Sequence, residues 1–87
     1  MTHRTEQQHR VDRALARVLL NVGDYLLPER ALRDEITLVL HPPSARAEID
    51  EAIRHADNAG RLTAVRGEIG LKYKLNDAGR AWASENL

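Results

Sequence analysis

An α+β fold is predicted for this 87-residue chain by three features: helix-period apolar stripes before Gly60, an alternating hairpin between Leu62 and Leu75, and a newly capped helix after Asn76. The length suits one domain over residues 1–87, with residues 1–4 expected to fray. The predicted architecture is a three-helix core with a short first strand, a two-stranded hairpin and a C-terminal helix.

From about Thr5 to Val22, apolar residues fall at Val11, Ala14, Leu15, Val18, Leu19 and Val22, the stripe of an amphipathic helix. Gly23 follows where a left-handed cap is wanted. Asp24 to Leu27 is too short for a helix and reads as a brief strand leading into Pro28, whose fixed φ suits a first helical turn. A second helix, Pro28 to about Leu40, turns Leu32, Ile36, Val39 and Leu40 inward, and His41-Pro42-Pro43 stops it. Ser44 is the expected N-cap of a third helix, Ala45 to Ala59, although the reciprocal glutamate of a capping box would then fall on Ala47. Ala45, Ile49, Ala52, Ile53 and Ala56 form its apolar stripe, and Gly60 closes it.

Leu62 to Arg66 and Leu71 to Leu75 pair as a hairpin around Gly67 to Gly70. Leu71, Tyr73 and Leu75 lie on one face, Lys72 and Lys74 on the other, so one side of the strand is covered. Asn76 caps the last helix, Asp77 to about Asn86, which is expected to point Ala78, Ala81 and Trp82 inward. In a chain with no Phe, two Tyr and one Trp, the core is expected to be aliphatic and Trp82 its largest plug.

Thirteen basic residues balance thirteen acidic ones, so placement of charge matters more than its total. Arg4, Arg10, Arg13 and Arg17 make the first helix basic, and five basic residues face two acidic ones between Arg61 and Arg80. The absence of cysteine removes disulfides, thiolate nucleophiles and thiolate metal sites. His3, His9, His41 and His55 have no metal-ligand spacing, Ser44 has no His/Asp partners in pattern, and Gly67-Glu68-Ile69-Gly70 is a hairpin tip rather than a phosphate loop. Neither an enzyme nor a cofactor or metal site is expected. A polar start and no apolar run of membrane-spanning length lead to the expectation of a cytoplasmic protein without membrane partners.

The segment Tyr73-Lys74-Leu75-Asn76-Asp77-Ala78-Gly79-Arg80 resembles the Tyr-x-Leu-Thr-x-x-Gly-Arg pattern by which winged helix-turn-helix regulators of bacteria and archaea leave the wing, with Asn76 in place of threonine. Glu48 to Ile53, continuing through Ala59-Gly60-Arg61-Leu62, resembles the recognition helix and the start of the wing. The resemblance covers nearly the whole chain. It implies that the third helix meets the DNA major groove and the hairpin the phosphate backbone.

On that reading Arg46, Arg54, Asn58 and Arg61 are candidate base or backbone contacts near the third helix, and Arg66, Lys72 and Lys74 phosphate contacts on the wing. Double-stranded DNA is the expected partner, in transcriptional regulation. So few phosphate contacts give modest affinity, which favours a dimer, and because winged-helix regulators are often dimers built from their terminal helices the resemblance implies a homodimer through the first and last helices. Asp50 and Glu51 lie on the same outer face of the third helix and favour a rival: an interaction module that meets a basic protein partner without binding DNA.

Overall fold

The computed structural model describes residues 3–87, as α1 (Glu6–Val22), β1 (Leu27–Pro28), α2 (Glu29–Val39), α3 (Arg46–Asn58), β2 (Leu62–Gly67), β3 (Gly70–Leu75) and α4 (Asp77–Asn86). The fold is α+β: four helices and a three-stranded antiparallel sheet in the order β1-β3-β2, with the hairpin on the C-terminal side. Of the residues expected to fray, Met1 and Thr2 lie outside the described residues, and Arg4 is held rather than frayed.

Helix α1 starts at a full capping box. The Gln8 backbone N–H donates to Thr5 Oγ1 at 3.0 Å, and the Thr5 N–H donates to Gln8 Oε1 at 2.8 Å. Helices α2, α3 and α4 and strand β3 all pack on α1, so its buried surface is wider than the predicted stripe and takes in Ala16 and Asp12. The first strand is shorter than expected. Only Leu27 and Pro28 find partners, Tyr73 and Lys72, while the Tyr25 N–H closes a turn onto the Val22 carbonyl at 3.2 Å.

In α2, Leu32 and Ile36 are fully buried and Leu40, just past the helix, joins them; Val39 departs from the prediction and is 40% exposed. The start of α3 also differs. Ala45 occupies the N-cap position, and Glu48 Oε1 accepts from the Ala45 N–H at 2.9 Å, so the glutamate absent from position 47 serves from position 48. Ser44, freed from capping, accepts through Oγ from Gln7 Nε2 at 2.8 Å and Arg10 Nη2 at 3.1 Å. Ala45 is exposed, whereas Ile49, Ala52, Ile53 and Ala56 are buried as expected.

At its far end α3 closes with two bonds, Arg61 N–H to Ala56 O and Gly60 N–H to Asp57 O, each at 3.0 Å. This is a Schellman cap, and Gly60 holds its left-handed position at φ 75°. The chain then enters a hairpin whose register runs from Leu62 opposite Leu75 to Gly67 opposite Gly70. Glu68 and Ile69 form the two-residue loop; the positive φ that the turn requires falls on Gly70, at 135°.

Asn76 joins the two ends of this unit. Its Oδ1 accepts from the Gly79 N–H at 2.7 Å, its Nδ2 donates to the Gly60 carbonyl at 2.8 Å, and its backbone N–H donates to Arg61 O at 3.1 Å. Helix α4 is rotated relative to expectation: Gly79 and Ala83 are buried, Ala78 and Ala81 are exposed, and Trp82 is half-buried. The close passage of the Arg61 carbonyl against Gly79 brings that side of α4 onto the sheet, so Trp82 lies at the rim of the core. No helix among the described residues is long and apolar enough to cross a membrane.

Candidate nucleic-acid interface

Helix α3 buries one side against α1, α2 and β2 and presents Arg46, Ala47, Arg54, Asp57 and Asn58 as exposed residues on its remaining surface. Arg54 and Asn58 are four residues apart, which places them on adjacent turns of one face. Both are exposed; Arg54 carries the paired donors that suit a guanine edge, and Asn58 the amide donor and acceptor that suit an adenine edge.

Asp50 and Glu51 of the same helix do not stand free. Asp50 Oδ1 lies 3.4 Å from Arg33 Nη1 of α2, and its Oδ2 lies 3.8 Å from Arg46 Nε one turn earlier. Glu51 Oε2 accepts from Arg4 Nη1 at 2.5 Å. Arg4 also binds Asp12 of α1 bidentately, Nη2 to Oδ1 at 2.6 Å and Nε to Oδ2 at 3.1 Å. The Asp12 side chain is 7% exposed and that of Arg4 14%. The hydrogen-bonded Asp12 is the main cause of a guanidinium pKa above arginine's usual range, against the opposing effect of burial; Glu51 adds to the rise. Asp57 is the exposed acid of α3 without an ion pair among the described residues.

Arg46 remains open to solvent, its side chain 75% exposed despite the Asp50 contact. Arg61 is differently placed. Its guanidinium lies over the Trp82 ring, 4.3 Å from the centroid, and the residue is half-buried. Burial lowers its pKa, with Asp12 opposing and Arg4 reinforcing the shift; an arginine stays charged at neutral pH regardless. The stack with Trp82 engages the Arg61 guanidinium within its own protein.

The hairpin divides the expected phosphate contacts between two faces. Lys72 pairs opposite Val65 and Lys74 opposite Thr63, so the two lysines share a face. Arg66 pairs opposite Leu71 and therefore shares the face of Ala64 and Tyr73. A Cβ on Gly67 would come 3.1 Å from Lys72 Cε, which places the Lys72 stem across the hairpin toward its tip. Lys72 and Arg66 are exposed; Lys74 is half-buried.

The groove between α2 and α3 adds residues that pattern reading missed. Its volume is about 590 Å³, and Arg30, Arg33, Asp34, Thr37 and Arg46 are among the residues that line it. Arg30 lies three residues before Arg33, an i, i+3 spacing that is a visible signal in the sequence. Arg33 is already engaged, with Glu29 Oε1 at 3.0 Å and with Asp50. Arg4 had no local signal, because it precedes α1 and its partners Asp12 and Glu51 lie 8 and 47 residues away. No protein-family model, curated protein or solved structure matches the chain.

Proposed function

We propose that the chain is a small winged-helix DNA-binding protein acting in transcriptional regulation, with α3 toward the major groove and the Lys72 and Lys74 face of the hairpin on the phosphate backbone. The observation that carries this reading is the pairing of Asp50 with Arg33 and Arg46 and of Glu51 with Arg4. Two carboxylates that would repel phosphate are compensated from within the molecule, so Arg46, Arg54 and Asn58 are open on the helix face with Asp57 as its one exposed acid without an ion pair among the described residues. Arg46 and Arg30 at the adjoining groove extend the positive surface. Arg61 belongs to this surface through its charge rather than as a base reader, given its stack on Trp82.

The same pairing weighs against the rival in which Asp50 and Glu51 receive a basic protein partner, since both carboxylates already have one. A homodimer completes the proposal, because few phosphate contacts per copy hold DNA weakly at physiological salt. Titration of a short random duplex at several salt concentrations tests DNA binding. Three or four phosphate contacts give a log–log slope near about −3 per copy, and Lys72→Glu/Lys74→Glu reduces its magnitude by about 2. Absence of binding at low salt would refute the reading.

A further inference from the structure

A second groove lies between α1 and the end of α2, on residues that the proposed DNA surface does not use. It encloses about 210 Å³, with Arg10, Arg13 and Arg17 along α1 and Val39, Leu40 and His41 from the end of α2. The spacing of three and then four residues stacks the arginines on one face of the helix, roughly 10 Å from first to last.

Arg4, Arg33, Arg46 and Arg80 each hold a carboxylate, whereas Arg10, Arg13 and Arg17 form no ion pair among the described residues. Arg10 braces the turn before α3, donating to Gln7 Oε1 at 3.1 Å, to the Pro42 carbonyl at 2.8 Å and to Ser44 Oγ at 3.1 Å. Those acceptors are neutral, so its charge is uncompensated. Arg13 and Arg17 stand exposed beside it. Glu6, one turn before Arg10, is the acid nearest in sequence on this face.

The lining is not purely ionic. Val39, which helical periodicity alone would have buried, is 40% exposed at the groove and adjoins buried Leu40. Cations beside the exposed Val39 side chain match a ligand that offers carboxylates and an apolar side chain together. A nucleic-acid backbone offers the charge but nothing for Val39.

We propose that this groove docks an acidic, amphipathic segment of another protein, with carboxylates on Arg13 and Arg17 and an apolar side chain on Val39. The proposal does not depend on DNA binding by α3. The probe is a fluorescein-labelled helical peptide with glutamates at i, i+3 and i+7 and a leucine at i+4, followed by fluorescence anisotropy with the full chain. Saturable binding is expected. Arg13→Glu/Arg17→Glu should weaken it about tenfold and Val39→Ser should also weaken it, while Lys72→Glu/Lys74→Glu leaves it unchanged. All these positions have exposed or half-buried side chains, and circular dichroism checks that each variant is folded. Failure to saturate, or equal binding by the Arg13→Glu/Arg17→Glu variant, overturns the proposal. Displacement of the peptide by duplex DNA, with Val39→Ser without effect, also overturns it and makes the groove a phosphate surface.

Discussion

Gly79 shows how one residue can be governed by two opposed rules. Within a helix, glycine is about 1 kcal/mol less favourable than alanine, so propensity predicts that Gly79→Ala stabilises the chain. Tertiary packing predicts the reverse. A Cβ at this position would collide with the Arg61 carbonyl oxygen and lie 2.9 Å from Leu75 Cδ2, and the carbonyl belongs to backbone that the Asn76 N–H also holds. Overpacking against backbone dominates, and we expect Gly79→Ala to destabilise by about 2 kcal/mol in urea unfolding. A gain in stability would show that α4 can move off the sheet without loss. Trp82 follows from the same contact: with Gly79 and Ala83 against the core, the indole reaches the rim, where one face meets Arg61.

At the scale of elements, the segment before α1 is joined to α1 and α3 by a single guanidinium. Arg4 places two of its nitrogens on Asp12 and a third on Glu51. The pair with Asp12 is nearly dry, while Glu51 is about one-third exposed, at 35%. Removing Arg4 therefore strands the Asp12 carboxylate more than it does Glu51. Arg4→Met is expected to cost about 3 kcal/mol by chemical denaturation, the low end for breaking a buried pair. Adding Asp12→Leu should recover most of that loss, because the stranded charge disappears. A double variant as unstable as the single one would mean that Arg4 acts through packing, not charge. The electrostatic match also bears on α3: the residue that holds Glu51 is contributed from outside the helix, so the outer face of α3 cannot be judged from its own residues.

For the whole molecule, Tyr73 senses how several elements assemble. It sits on the central strand, 5% exposed, and burial raises its phenol pKa above the ordinary value near 10. Glu29 of α2 and Asp57 and Asp50 of α3 push it the same way, and Arg33 opposes them. The folded state thus keeps the phenolic proton more tightly than the unfolded state does. The stabilisation is fully present below pH ~10 and is lost as pH rises through the folded value. Urea unfolding at a series of alkaline pH values should show this fall in the parent chain and a flatter profile in Tyr73→Phe. Identical profiles for the two would place the alkaline sensitivity elsewhere.

Local physics made much of the fold legible in the sequence. The stripes of α1 and α3, the glycine that ends α3, the alternation of β3 and the Asn76 cap depend on neighbours within a few residues, and each reappears in the structure. The Thr5–Gln8 capping box was equally local and was there to be read. Where the pattern misled, two frames competed at short range: Ser44 and Ala45 can both precede α3, and the choice went to the frame that gives Glu48 a backbone donor and leaves the Ser44 hydroxyl to Gln7 and Arg10.

The candidate site was legible only in part, because an exposed position such as Arg54 or Lys72 follows from periodicity but a charge's partner does not. The sequence by itself determined the order and type of the elements and the buried stripes of α1 and of α3 from Ile49 onward, whereas the face that α4 turns to the core was set by its packing on the Arg61 carbonyl. Tertiary structure alone decided that Arg4 and Arg33 compensate Glu51 and Asp50, that Arg61 lies on Trp82, and that Arg66 parts from Lys72 and Lys74. The physical reason is range: helix and strand periodicity is set along the chain, whereas an ion pair between residues 4 and 51 exists only once the helices have packed.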